Sequence, residues 1–362
     1  MEYKEYIETI KAMKEEIISL LLKTDLSNDR KAKKTMKTID KMFNRIGKDA
    51  EDVLPKEILE SYYNGVDEAT KYLSNECMES LVDGKKKAIE KGVVADVFKT
   101  QVHIEAIEAI TDDTMLDFKA AIRTAKNNAD KTIKDTLNKV KKDMQKGIIK
   151  GKARKNISNA VAKSFAEKGM MSFTTVDGKE LPLDFYAETV TRTNLKRANA
   201  KGMAQRYKEN DVYLVEVTGN TPTCDECAPY RDIVFSLDSE SDEFPYIDEN
   251  EFPLHPNCNC SLIPYVREYK SQEEFDKDKA QANKFDPTKD NRSKAQKQAY
   301  DKQQKLHQMN NYEKKRYAEI SAILKDDAPK TLGAFKRMKR KNSDNYKKVL
   351  QEFREAMKQM GG

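Results

Sequence analysis

Five side chains that can ligate a metal lie close together in the middle of the sequence. They form a Cys-x-x-Cys pair and a His-Pro-Asn-Cys-Asn-Cys element: Cys224, Cys227, His255, Cys258 and Cys260. Zinc binds thiolate and imidazole ligands in a tetrahedron, and a Cys-x-x-Cys turn directs two sulfurs towards one point. A site whose four positions are all filled by protein has no place for water and is structural. The pattern therefore predicts a structural zinc site.

The second element offers more ligands than the site needs. Two turns would supply the Cys-x-x-Cys pair and His255, together with one of Cys258 and Cys260. Residues two apart in an extended chain point to opposite faces, so one of these two cysteines would face away unless the backbone kinks. We weakly favour Cys260 and leave the choice open.

Two other interpretations of the cysteines remain. A redox pair of the thioredoxin type should open a helix after a strand. Here Pro229 and the strand-like stretch at residues 231–235 disfavour a helix after the pair. Free thiols, or disulfides, are the other alternative.

Short strands and one helix must position these ligands. Residues 211–217 alternate and are β-branched, which predicts a strand before the first cysteine pair. Residues 232–235 and 261–266 predict two more strands, and a hairpin starts at Phe173 with Asp177-Gly178 at its turn. Residues 184–208 predict a helix that precedes the first of the three strands.

The first 170 residues predict helices, because apolar side chains recur at three- and four-residue steps. Pro55 is placed in the first turn of a new helix, where proline is tolerated. We interpret His103 and His307 as surface or helix-face residues. Glu188 and Arg192 form an ordinary i, i+4 pair on the helix at 184–208.

Charged residues are distributed unevenly along the chain. The net charge is +6, yet residues 266–362 alone carry 25 Lys and Arg against 15 Asp and Glu. A basic tail on a mildly acidic body favours an anionic partner such as nucleic acid. The basic run at residues 336–341 could contact phosphates or could simply be a solvated face.

These patterns predict a mostly α fold. It would have an elongated helical N-terminal part (1–146), a small α+β domain stapled by zinc (147–266) and a charged helical C-terminal tail (267–362). No apolar run is long enough for a membrane span, and the N-terminus lacks the features of a signal peptide, so we expect synthesis in a cytoplasm. Motifs for nucleotide binding, serine hydrolysis and metalloprotease chemistry are missing from the sequence, which disfavours an enzyme.

The order of motifs in the middle third resembles the minor capsid and head morphogenesis proteins of tailed bacteriophages. The resemblance covers roughly residues 147–266. It lies in the following elements: Tyr186-Ala-Glu-Thr-Val-Thr-Arg-Thr193, Arg197-Ala198, Gly202, the strand ending at Val217, Thr223-Cys-Asp-Glu-Cys227, His255-Pro-Asn-Cys-Asn-Cys260 and Pro264. Asn259 departs from the pattern, since family members often have Arg there.

The resemblance implies a virion protein inside the capsid, present in few copies and made in the host cytoplasm. Its partners would be portal, capsid or scaffold proteins during prohead assembly, and its basic tail could contact packaged DNA. An alternative is a nucleic-acid-binding protein that uses a zinc knuckle and the basic tail. An enzyme, such as a nuclease or a toxin-like transferase, is a third hypothesis without motif support.

Overall fold

The computed structural model of the chain is mostly helical, as predicted, and describes residues 1–77, 101–145, 153–174, 178–219, 221–324 and 327–359. The helices in these ranges are α1 (Tyr3–Lys23), α2 (Asp29–Cys77), α3 (Gln101–Gln145), α4 (Ala153–Lys168), α5 (Leu183–Glu209), α6 (Gln272–Ala282), α7 (Lys294–Leu324), α8 (Leu332–Arg340) and α9 (Asp344–Gln359). The strands are β1 (Met171–Thr174), β2 (Glu180–Pro182), β3 (Leu214–Thr218), β4 (Val234–Ser236) and β5 (Ser261–Pro264).

The strands form two small antiparallel sheets. The hairpin and the three later strands were predicted, and the structure adds how those three strands pair. Strands β1 and β2 pair as a hairpin, and the predicted Asp177 of its turn lies outside the described residues. The other sheet has the order β4-β3-β5, with β3 antiparallel to both neighbours. The first cysteine pair therefore follows the central strand β3 along the chain. The second cysteine element precedes β5, which pairs with β3.

Two compact units are formed by discontinuous parts of the chain. The first comprises Met1–Tyr6, Asp49–Lys119 and Ala187–Tyr300, and the second comprises Ile7–Lys48, Ala120–Tyr186 and Asp301–Gly362. The units group residues by proximity in space, whereas the sequence predicted three consecutive domains. That division stays a prediction.

Amphipathic helices build much of the second unit. Ile10, Ile17 and Leu21 form a buried stripe on α1, and Val161 and Phe165 are buried on α4. Helix α1 ends at Lys23, and the carbonyl of the next residue, Thr24, accepts a hydrogen bond from the Ser158 hydroxyl at 2.6 Å. The last part of the unit has its own apolar cluster, formed by Ile320, Phe335, Val349 and Phe353 of helices α7 to α9.

Pro55 lies inside α2, so the prediction that it opens a new helix was wrong. Proline has no N–H group, and the hydrogen bond to the carbonyl four residues earlier is lost. The flanking side chains of Val53, Leu54 and Ile58 are nevertheless buried. The free energy gained by burying these apolar side chains on both sides of Pro55 offsets the loss of one backbone hydrogen bond. The sequence pattern does not show which of the two effects is larger.

Two glycines allow α2 and α5 to approach closely in the first unit. A Cβ atom on Gly65 would overlap the carbonyl of Asn199, and a Cβ atom on Gly202 would overlap the carbonyl of Tyr62. The hydroxyl of Ser61 also donates a hydrogen bond to the carbonyl of Leu195 at 2.7 Å. Gly202 is thus needed for a backbone-to-backbone crossing.

We expect Gly202→Ala to destabilise the protein by about 1–3 kcal/mol, because the added methyl group forces the two helix backbones apart. Gly47→Ala is the matched control, since Gly47 lies in α2 and nothing lies within 4 Å of a Cβ atom at that position. The control should stabilise by about 0.5–1 kcal/mol through helix propensity. Urea denaturation followed by circular dichroism measures both changes, and equal effects would contradict the close crossing.

Candidate metal centre

Helix α5 and the three-stranded sheet form the frame of the cysteine-rich region. Met203 and Tyr207 of α5 are fully buried in one apolar cluster with Val215 and Val217 of β3. The hydroxyl of Tyr207 donates a hydrogen bond to the carbonyl of Leu262 in β5 at 3.1 Å. The helix therefore fixes the positions of the strand that precedes the first cysteine turn and of the strand that follows the second.

The first cysteine pair lies in a tight turn after β3. The amide of Ala228 donates to the carbonyl of Cys224 at 3.1 Å, and the amide of Cys227 donates to the Cys224 sulfur at 3.3 Å. Turns continue through residue 232, and the next regular element is β4. The pair does not open a helix, in contrast to a redox motif of the thioredoxin type.

The second element is also a turn and not an extended chain. The amide of Cys258 donates to the carbonyl of His255 at 3.0 Å, and Asn257 adopts a positive φ of 64°. The amide of Cys260 donates to the Cys258 sulfur at 3.4 Å. This kink is the condition under which the sulfurs of Cys258 and Cys260 can lie on the same side.

The ligand atoms of the two turns converge. His255 Nε2 lies 3.1 Å from the sulfur of Cys224 and 3.1 Å from that of Cys227. The sulfurs of Cys227 and Cys258 are 3.5 Å apart. The structure gathers two groups, Cys224 with Cys227 and His255, and Cys227 with Cys258 and Cys260, each with ligand atoms within 4.8 Å of one another.

These separations match the size of a coordination shell. Zinc–sulfur bonds of about 2.3 Å and zinc–nitrogen bonds of about 2.0 Å in a tetrahedron place ligand atoms roughly 3.5 to 3.8 Å apart. The three observed distances are somewhat shorter than the values expected for their atom pairs. Each of the two groups has its ligand atoms close enough to hold a metal ion, and Cys227 belongs to both.

The orientation of the imidazole ring is fixed by its other nitrogen. His255 Nδ1 lies 2.9 Å from the carbonyl of Pro256, to which a proton on Nδ1 donates. A carboxylate oxygen of Glu226 lies 3.7 Å from the same nitrogen. Such a contact fixes the tautomer of a metal-binding histidine and leaves Nε2 free for the metal.

Hydrogen bonds among the ligands shift their pKa values in opposite directions. Hydrogen bonding with Cys227 lowers the pKa of Cys224 to about 4 and also lowers the pKa of Cys258. Hydrogen bonding with Cys224 raises the pKa of His255 to about 11 and also raises the pKa of Cys227. Hydrogen bonding with Cys227 lowers the pKa of Cys260, but hydrogen bonding with Cys258 and burial outweigh it and raise that pKa to about 12. A divalent cation bound at the same point would take the place of the protons that these groups share.

A partly buried arginine beside the cluster also fits a metal bound by thiolates. The Nε and Nη1 atoms of Arg231 are buried, and neither has a hydrogen-bond partner among the residues that the structure describes. A Cβ atom on Gly219 would lie 2.6 Å from Arg231 Nη1 and 3.2 Å from the Cys260 sulfur. Zinc with three thiolates and one imidazole carries a net negative charge, and a neighbouring guanidinium compensates for it.

Helix α5 reaches the second turn directly. Arg192 Nη1 donates to the side-chain oxygen of Asn257 at 3.2 Å, and Arg192 Nη2 pairs with Glu188 at 2.8 Å. The predicted i, i+4 pair is thus present. The sequence did not reveal that the same arginine contacts the turn between His255 and Cys258.

His103 is fully buried on a helix face, so of the two alternatives, surface or helix face, the surface one was wrong. The hydroxyl of Tyr62 donates to His103 Nδ1 at 2.7 Å, and His103 Nε2 donates to Glu209 at 2.8 Å. Both ring nitrogens are satisfied by α2 and α5, which explains how a polar ring is accommodated in the core. His103 is not a member of either metal-ligating group.

Comparison with known proteins identifies one family. The family model described as phage minor capsid protein 2 matches residues 57–305, which include both cysteine turns and all of α5. Neither the curated proteins nor the solved structures contain a significant match. In the part of the chain that the structure describes, no helix is both long and apolar enough to cross a membrane.

The shared position of Cys227 gives a test of metal binding. We expect Cys227→Ser to abolish binding, because it removes a sulfur from both groups. Cys260→Ser removes a sulfur from one group only and should retain the metal if Cys258 is the fourth ligand. Elemental analysis of the freshly reduced proteins gives the metal content per chain. Equal metal content in wild-type protein and the Cys227 variant would contradict this assignment.

Proposed function

This chain belongs to the phage minor capsid protein 2 family, and we propose that it is a structural protein that acts in prohead assembly at or near the portal. The family makes it a phage virion protein. Its match to residues 57–305 is the observation that carries the proposal, because it spans the helical frame and the cysteine-rich fold together. The portal, the scaffold and capsid proteins are the proposed partners, the capsid interior is the proposed location, and the host cytoplasm is the proposed site of synthesis.

We also propose that the metal is zinc and that its role is structural. The chemistry of the donor set supports zinc, since sulfur and imidazole nitrogen are its usual ligands in closed tetrahedral sites. Cys224, Cys227 and His255 would fill three positions, and Cys258 or Cys260 the fourth. With all positions filled by protein, such a site offers no place for a substrate, which agrees with a protein that is not an enzyme.

Short strands leave both cysteine turns outside regular structure. The strands of the β4-β3-β5 sheet have only three to five residues each. A structural zinc ion would add folding free energy to that of the apolar cluster that the sheet forms with α5. Both cysteine turns follow or precede strands of this sheet, so a bound ion would tie its ends together.

Assembly at the portal can be tested with the full chain in infected cells. We expect a tagged protein to purify with proheads and with the portal protein in low copy number, and to be retained in mature heads. A protein found only free in the lysate, with no prohead association at any stage of infection, would contradict the assembly role.

Contact with packaged DNA is a second proposed function, and the charge pattern of the last three helices favours it. The acidic side chains of this region are largely neutralised locally: Glu313 pairs with Lys336 and Lys339, Asp344 with Lys347, and Glu352 with Lys348. Arg337, Arg340 and Lys341 are exposed. Among the described residues, none of these three forms an ion pair with an acidic side chain, so they are available for phosphates.

Replacing these three cations by glutamine should weaken binding to duplex DNA and reduce its salt dependence. Each phosphate contact that is lost lowers the slope of log K against log salt by roughly 0.9. The matched control replaces Lys297, Lys347 and Lys348 by glutamine. This removes the same amount of positive charge, but from side chains that already have acidic partners. Filter binding at several salt concentrations measures both slopes. Equal slopes for wild type, variant and control would contradict DNA contact through this surface.

A further inference from the structure

A segment beyond the predicted zinc domain returns to the first cysteine turn. Residues 283–300, here called the strap, run from the end of α6 into the first turns of α7 and belong to the same compact unit as the cysteine turns. Phe285 of the strap packs on Phe235 and Tyr230, with ring centroids 4.9 and 5.0 Å apart. The strap is therefore part of the core that underlies the cluster.

Arg292 makes the contact that reaches the cysteine turn. Its side chain is only 9% exposed, and its Nε and Nη2 both donate to the carboxylate of Asp290 at 2.9 Å. The remaining nitrogen, Nη1, donates to the carbonyl of Thr223 at 3.0 Å. The guanidinium also lies 5.3 Å from the centre of the Tyr300 ring. All three ends of the guanidinium fork are thus engaged, and Asp290 holds it in one orientation.

The carbonyl that accepts this hydrogen bond belongs to the residue directly before Cys224. The carbonyl of Thr223 belongs to the peptide group that leads into Cys224, so its orientation sets the direction in which the Cys224 side chain leaves the backbone. Thr223 is followed by the turn whose amides bond to the carbonyl and sulfur of Cys224. A donor that fixes this peptide plane keeps the turn in the geometry in which two sulfurs face one point.

We propose that the metal-binding domain extends through the strap to Tyr300 and that Arg292 is a positioning residue for Cys224. This inference rests on the proposed zinc site. Its independent support is the family match, which continues past β5 and ends at residue 305, just beyond the strap. Contacts around metal ligands of this kind typically change metal affinity by roughly 10- to 100-fold when they are removed.

The test uses the full-length chain with Arg292→Met and Arg292→Lys. Methionine keeps much of the volume but removes every donor, and lysine keeps the charge but cannot bind Asp290 and Thr223 in the same fork geometry. We expect the methionine variant to bind zinc roughly 10- to 100-fold more weakly in competition with a chromophoric chelator. The lysine variant should lie between it and wild type. Arg267→Met is the matched control, because Arg267 is exposed and contacts Glu243 away from the cysteine turns.

A second readout separates positioning from general stability. With Co²⁺ in place of zinc, we expect the methionine variant to give altered d–d and sulfur charge-transfer bands, while Arg267→Met gives the wild-type spectrum. If Arg292→Met does not fold, Arg292→Lys and Asp290→Asn carry the test, each with an expected loss of roughly tenfold in zinc affinity.

These measurements distinguish failure of the inference about Arg292 from failure of the proposed zinc site. Wild-type protein that binds no zinc would overturn the zinc site and this inference together. Tight zinc binding by wild type with unchanged affinity and cobalt spectrum in the Arg292 variants would overturn this inference alone. Weakened binding in the Arg292 variants together with an unchanged control would support it.

Discussion

The contact of His255 Nε2 with the sulfurs of Cys224 and Cys227 joins two turns that are separated by 27 residues of chain. Both turns are attached to the β4-β3-β5 sheet, one after β3 and the other before β5. Strand β4 and the loop that follows it lie between them in sequence. Separation of the two turns would expose Cys227, Cys258 and Cys260, which are buried in the same apolar cluster as the side chains of β3 and β5. The arrangement of the cysteine-rich fold therefore depends on this convergence.

Helix α5 connects the cluster to the helical part of the first unit. One side of the helix packs on the sheet through Met203 and Tyr207, and Gly202 permits close approach to α2. Arg192 on the same helix contacts Asn257 in the second cysteine turn. The motif order that resembles phage minor capsid proteins thus corresponds to one connected structure, in which a helix, a sheet and two turns fix one another. The family match includes all of these elements.

Sequence patterns predicted the helices, the short strands and the two cysteine-containing turns that come together, because periodicity and motif spacing are local signals. The role of the five side chains as metal ligands stays a prediction. These patterns failed where the environment of a residue is formed by residues that are distant in sequence. Pro55 has the local signature of a helix start, yet buried neighbours keep α2 continuous. His103 was expected at the surface or on a helix face, and Tyr62 and Glu209 satisfy its ring nitrogens in the core. Arg292 lies 69 positions from Thr223, and no spacing rule connects them.

The central claim is that a metal ion holds the cysteine-rich fold together, and amide hydrogen exchange of the full chain with and without a zinc chelator tests it most directly. We predict that chelation removes protection from the amides of β3 and β5 and leaves the amides of α1 protected. That result would place the stabilising effect of the metal in the sheet. Full protection of β3 and β5 in protein shown to contain no metal would contradict the claim.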